Sequence, residues 1–401
     1  MRRIVDSRRL PVGSRGNAER EVLSAECGGI TRRRASSRSS LITHRSAFLP
    51  GFTLVELLMV LIIVGILVSL LTVAVSYAIR AAKQAFITTE ISQLDATLQG
   101  YKNDNGGLYP PCMAIPMPSS STPTSPSRID LFNQALRKRF PRYTGDYVAT
   151  RTLLLSTAWK VTPIGGGTPS SLNLDRLDAA EALVFWLAGP PAPTSASSST
   201  ILYGFSSNPT TPFDTTTSSR SKILFSFDES RLTDADGDGW PEYTPPRNGN
   251  KTSGMPPYVY FDPPSYQYKD DQGQFPCYAC YPGSLAYGAT SPTPVGATSS
   301  FLRRVNDWGF ATPYATQLTS GLPSAWWNPK KFQIISSGLD AEYGGSQYET
   351  AGMGRSPISG STAIPAVPQT SSQPPAQNLT DGDNDNLTNF ISGKLEDFVP
   401  Q

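Results

Sequence analysis

The strongest constraint on this chain is the run from Phe52 to Ile79, 28 residues in which Glu56 is the one side chain charged at neutral pH. At about 1.5 Å per residue, such a run as a helix exceeds the roughly 30 Å hydrocarbon core of a bilayer. The spacing predicts a transmembrane helix. A carboxylate inside the span costs about 2.5 to 3.5 kcal/mol on insertion scales, so it demands a specific partner. Glu56 is therefore the first candidate functional residue.

The residues Gly51-Phe52-Thr53-Leu54-Val55-Glu56-Leu57-Leu58 resemble the processing site of type IV prepilins and type II secretion pseudopilins. In that family a membrane aspartyl peptidase cuts after the glycine and methylates the new phenylalanine amine. The resemblance implies that Gly51 and Phe52 flank the cut, and that Glu56 pairs with the amine of a neighbouring Phe52 as subunits stack. Such a pairing is physically sound, because two buried opposite charges offset each other's desolvation only in close register. A signal anchor with a Glu near the interface is the plain alternative.

Residues 1–51 carry eleven Arg, no Lys and four acids, a formal balance of +7 that suits a basic leader peptide. The remainder holds 23 basic and 28 acidic residues, a balance of −5. Basic residues ahead of a span favour the cytoplasmic side, which predicts a single-pass protein with its N-terminus in and its C-terminal bulk out; the resemblance implies that the membrane is the inner one and the C-terminal domain periplasmic. The acidic balance of the mature chain argues against nucleic-acid binding, which needs clustered Lys and Arg.

Beyond the span, Ile87, Ile91, Leu94, Leu98 and Tyr101 recur at helical spacing and predict an amphipathic continuation over 80–105, ending at Asn103-Asp104-Asn105-Gly106-Gly107. Tyr101-Lys102-Asn103-Asp104 through Gly107-Leu108-Tyr109-Pro110 also looks like the end of that helix in major pseudopilins. Residues 106–401 are predicted to form one exported domain interrupted by Pro- and Ser-rich loops at 113–127, 190–200, 291–300 and 358–377. Helices are predicted at 129–140 and 174–187, and strands at 222–227, 258–261 and 332–335. Together these predict an α+β protein, a long helix packed on a C-terminal antiparallel sheet, which is the pilin-like arrangement.

Two acidic loops are candidate cation sites. Asp234, Asp236 and Asp238 alternate ahead of Gly239 and match the first half of an EF-hand loop; Glu242 fits its ninth position, but Pro245 stands where the bidentate Glu belongs. The second loop runs Asp381-Gly382-Asp383-Asn384-Asp385-Asn386. With Phe332 to Asp340 before it, that loop resembles the C-terminal calcium site of the major pseudopilin. The resemblance implies Asp340, Asp383 and Asp385 as ligands of Ca²⁺, with backbone carbonyls near Leu339.

Cys27 lies in the leader, leaving Cys112, Cys277 and Cys280. One Cys-x-x-Cys pair without His does not complete the usual zinc tetrad, and a disulfide of Cys277 with Cys280, or of Cys112 with either, suits an oxidising exterior. The only His, His44, also falls in the leader, so no Ser-His or Cys-His pair exists in the mature chain. These features argue against catalysis, and the resemblance implies a non-enzymatic pseudopilin of a type II secretion-like system. Its predicted partners are other pilin or pseudopilin subunits, the prepilin peptidase and the inner-membrane assembly platform. A minor type IV pilin and a signal-anchored exported enzyme or binding module are the alternatives.

Overall fold

The computed structural model describes residues 52–112, 128–196, 200–247, 254–264, 308, 311, 313–319, 322–343 and 385–395. Gly51, Cys277, Cys280 and Asp383 lie outside them, as do most of the Pro- and Ser-rich loops. Helix α1, Leu54–Asp104, is 51 residues long, or about 77 Å. It is long and apolar enough to cross a membrane. From Leu54 to Ala82 every residue is exposed, whereas Ile87, Glu90, Ile91, Leu94, Leu98 and Tyr101 are buried. The stripe read from the sequence is thus the packed face, with one acid in its register. The helix stops where Gly106 and Gly107 take φ of +66° and +83°. There the amides of Asn105 and Gly107 donate back to Tyr101 O (2.9 Å) and Lys102 O (2.8 Å), satisfying terminal carbonyls.

The chain divides within α1 into two units, Met1–Gly65 and Ile66–Gln401, and every element after α1 belongs to the second. After α1 come α2 (Arg128–Arg139), α3 (Tyr147–Leu154), β1 (Lys160–Val161), β2 (Ser170–Ser171) and α4 (Glu181–Ala188). Strands β3 (Leu232–Thr233), β4 (Glu242–Tyr243), β5 (Val259–Phe261), β6 (Ala315–Thr319), β7 (Leu322–Trp326), β8 (Gln333–Ser336) and β9 (Leu387–Thr388) complete the order. They pair antiparallel as β1-β2, β3-β4, β5-β8-β9 and β6-β7. The expected single sheet is therefore replaced by four small ones among the described residues.

Helix α4 is buried along its whole length and apolar nearly all round, as a core helix must be. Trp186 Nε1 donates to Pro111 O (3.0 Å) and Tyr260 Oη to Pro110 O (2.7 Å), which docks the segment after α1 onto α4 and β5. Two expectations are corrected. The helix predicted over 174–187 breaks into a 3₁₀ turn at Leu174–Arg176 and α4, because Asp178 caps a new start. The strand predicted over 222–227 does not form; Leu224 N donates to Leu187 O (2.8 Å), and Phe225 and Phe227 pack against Tyr243 without a ladder.

The acid in the stripe fastens α1 to the rest of its unit. Glu90 is only 6% exposed. Arg231 donates Nη1 to its Oε1 (2.9 Å) and Nη2 to its Oε2 (2.6 Å). Tyr243 Oη and Tyr258 Oη add bonds of 2.7 and 2.6 Å to the same two oxygens. Burial, followed by the Glu90 contact, raises both tyrosine hydroxyls above their ordinary range, Tyr243 through the hydrogen bond and Tyr258 through the negative charge. A buried carboxylate that loses its cation leaves an uncompensated charge. Arg231→Met is expected to cost about 3 kcal/mol, against at most about 1 kcal/mol for Arg151→Met, whose pair with Asp175 is half-exposed. Chemical denaturation of the full chain in detergent micelles measures both, and equal losses would contradict the anchoring role.

Candidate functional site

At the start of α1, Thr53 and Glu56 form a capping box. Thr53 N and Oγ1 both donate to Glu56 Oε2 at 2.9 Å, and Glu56 N donates to Thr53 Oγ1 at 3.2 Å. This satisfies amides that a helix start leaves without intrahelical partners. The pattern Thr-x-x-Glu before an apolar run was present in the sequence and carries this reading directly. Phe52 is exposed beside it.

A second acidic centre joins α4 to the loop between β3 and β4. Asp178 Oδ1 accepts from Ala180 N (2.8 Å) and Glu181 N (3.0 Å), while Asp178 N donates to Glu181 Oε2 (2.8 Å). That is another capping box, and it aligns two carboxylates at the mouth of α4. In the loop, Asp234 Oδ1 accepts from Gly237 N (2.8 Å) and Asp238 N (3.1 Å), and its Oδ2 from Gly239 N (3.0 Å). Gly237 and Gly239, at φ of +76° and +98°, let the backbone curl around that carboxylate. Asp238 Oδ1 accepts from Trp240 N (2.9 Å), and Trp240 Nε1 donates to Asn173 O (2.9 Å).

These turns bring acids from both elements together. One carboxylate oxygen from each of Glu181, Asp236 and Asp238 lies within 4.8 Å of the others, and the same holds for Asp178, Glu181 and Glu242. These buried acidic clusters could hold a metal ion. Burial, then the charges of Asp178, Asp238 and Asp236, push Glu181 well above the usual carboxylate range. Burial and the charges of Asp236 and Asp234 do the same to Asp238, and burial with Asp236 raises Asp234 to about 7. Of the EF-hand-like residues, Asp236 and Asp238 enter the clusters, while Asp234 stands outside both and is used by backbone amides. Asp178 and Glu181 were missed by motif reading; their signal was Asp178-Ala179-Ala180-Glu181 ahead of an apolar run.

The C-terminal acids also meet. Asp385 Oδ2 accepts from Leu339 N (2.7 Å) and Asp340 N (3.0 Å), and Asp340 Oδ1 accepts from Glu342 N (2.8 Å). Burial and the neighbouring Asp385 raise Asp340 to about 8. The third residue implied by resemblance, Asp383, lies outside the described residues, and Cys112 is buried while its proposed disulfide partners lie outside them.

Comparison of the chain with protein-family models, curated proteins and solved structures gave no match.

The approach of Asp385 to the 338–340 turn depends on Gly338. Its φ is +66°, and a Cβ there would overlap the backbone oxygen and carboxylate of Asp385. Gly107, at φ +83°, has open space around the same position. Gly338→Ala is expected to cost about 3 kcal/mol and Gly107→Ala about 1 kcal/mol. Denaturant unfolding of the two variants checks this; equal costs would mean that backbone strain alone, and not the Asp385 contact, sets the requirement for glycine.

Proposed function

We propose that this chain is a pilin-like filament subunit, a pseudopilin of a type II secretion-like system, and that its work is assembly and not catalysis. One observation carries the reading: α1 leaves Leu54 to Ala82 wholly exposed, apolar but for Glu56, Arg80 and a few small polar residues, while the same helix is packed from Ile87 onward. An apolar surface of this extent needs lipid or other apolar helices around it. A subunit stored in the inner membrane and then stacked in a filament supplies each in turn.

Several features support the reading. The Gly51-Phe52 junction stands directly before the helix, where a prepilin peptidase would cut and leave a methylated Phe52 amine. Glu56 lies in the first turn, where it would meet the amine of the next subunit as the assembly platform draws subunits out of the bilayer. The mixed α+β unit on the second half of α1 is the arrangement pilins use. The basic leader favours a cytoplasmic N-terminus and a periplasmic domain.

Calcium fits the C-terminal acids. Asp385 Oδ1 is buried and accepts no hydrogen bond, beside an Asp340 whose carboxyl is held only in part by a backbone amide. Asp340, Asp385 and Asp383 would hold the ion, which would neutralise adjacent carboxylates and tie β8 to the segment of β9. All these donors are hard oxygens, the set calcium prefers.

Two measurements test the filament reading. Protein from membranes of cells with the prepilin peptidase is expected to begin at methylated Phe52, and protein from cells without it to keep the leader. Glu56→Ala is expected to insert in the membrane at normal levels while the sedimentable filament fraction falls to background. An uncut N-terminus in both strains, or unimpaired assembly of the Ala variant, would favour a signal-anchored exported module instead.

A further inference from the structure

We infer a second divalent-cation site, independent of the filament reading, in which Glu181 at the mouth of α4 and Asp236 and Asp238 of the β3–β4 loop bind one Ca²⁺, with Asp178 and Glu242 closing its other side. The site is composite. The loop supplies the early acids of an EF-hand-like pattern, and α4 supplies the acid that the loop lacks at Pro245.

The acidic cluster alone would not carry this inference. The further observation is that Glu181 and Asp238, only 1% and 5% exposed, each keep one carboxylate oxygen, Oε1 and Oδ2, buried with no hydrogen-bond partner. Unsatisfied buried acceptors are rare in native proteins, because each forfeits its hydration without return. Here two occur in adjoining side chains whose oxygens cluster with that of Asp236. A cation placed among them would satisfy both at once and offset the repulsion between the carboxylates.

The donors select the ion. All five side chains are carboxylates, hard ligands that suit calcium or magnesium and not the softer metals bound by Cys and His. Oxygens that all lie within 4.8 Å of one another are close enough to share one ion, since opposite Ca–O ligands stand about 4.6 to 5.2 Å apart. Calcium takes about six to eight oxygens in flexible geometry and so suits an all-carboxylate set, whereas magnesium demands near-ideal octahedral geometry and keeps several waters. The backbone also prepares the loop: Asp234 binds three amides of the turn and so presents Asp236 and Asp238 without itself being a ligand.

The test uses the full chain in detergent micelles, with Ca²⁺, Mg²⁺ and Tb³⁺ as probes. Trp240 follows Asp238 by two residues, so tryptophan-sensitised Tb³⁺ emission reports this site once the C-terminal acids are disabled. The expected result is emission that Ca²⁺ displaces, and a Tm rise of about 5 °C at a calcium concentration roughly 100-fold above Kd. In an Asp385→Asn background, which removes the C-terminal site, Glu181→Gln and Asp238→Asn should abolish the emission and the remaining Tm rise. In chelator they should melt no lower than the parent chain, since each removes an ionisable carboxyl from a buried cluster of like groups. Asp385→Asn, which disables the C-terminal acids, should retain the emission. The inference is overturned if Glu181→Gln in that background keeps the emission and the full calcium response. It is also overturned if Asp385→Asn alone abolishes them, if Mg²⁺ acts where Ca²⁺ does not, or if no ion shifts the Tm.

Discussion

The buried pairing of Glu90 with Arg231 is the constraint on which the rest of the second unit depends. A carboxylate removed from water recovers its lost solvation only if charge and hydrogen bonds arrive in fixed positions. Glu90 receives two bonds from Arg231 and one each from Tyr243 and Tyr258. The donors come from the turn before β3, from β4 and from the residue before β5, so three segments must converge on one side chain of α1. Further along the helix, Asp95 binds Lys331 Nζ at 2.8 Å and Asn389 Nδ2 at 2.9 Å, which draws the β8 and β9 segments to the same helix. Apolar burial supplies most of the stability of such a packing, but these polar contacts fix its register, because a shifted helix would leave a buried charge unpaired.

The two halves of α1 obey different solvents. From Ile87 onward the apolar residues recur at helical spacing and find a protein core; before that they surround the helix on every side and find none. Fully burying one large aliphatic side chain is worth about 1.5 to 3 kcal/mol, so a long run of bare ones makes a free aqueous helix untenable. The Thr53–Glu56 capping box bears on how such a helix is used. Its carboxylate offsets the positive end of the helix dipole, which disfavours an amine at the same mouth. On the filament reading proposed above, a chain cut before Phe52 would put an amine near this mouth, and Glu56 would then serve both its own helix start and the charge of a neighbouring subunit.

Much of this was legible in the sequence, and the parts that were not share a cause. The buried stripe followed from periodicity alone, and the glycine stop at 106–107 from turn chemistry. Glu90 sits in the register of that stripe but was passed over, since an apolar pattern cannot reveal an acid whose donors lie 141, 153 and 168 residues away. Strands β1 to β4 and β9 are two residues each, too short for alternation to appear. Asp340 and Asp385 were paired by resemblance, and the structure brings them within reach of the same backbone turn. The acids at 236 and 238 were visible as half of a loop motif. The other half was not, because Glu181 belongs to a different element and only the tertiary fold carries it there.

The β3–β4 hairpin links these features. Thr233 pairs with Glu242 and Leu232 with Tyr243, so the strands are held in one short register. At the open end, Arg231 and Tyr243 bind Glu90 of α1; at the closed end, Asp236, Asp238 and Glu242 lie near Glu181 of α4, and Glu242 also near Asp178 just ahead of α4. A two-residue ladder is too weak to order itself. Its position is therefore set by what each end binds, and a cation at the closed end would reduce the entropy lost in presenting Arg231 at the open end. Calcium and the seating of α1 would then be thermodynamically coupled through one hairpin, each strengthening the other by the same factor. If the chain is the filament subunit proposed above, such coupling would give it a use for a cation site: the globular unit would grip the packed half of α1 most firmly where calcium is plentiful.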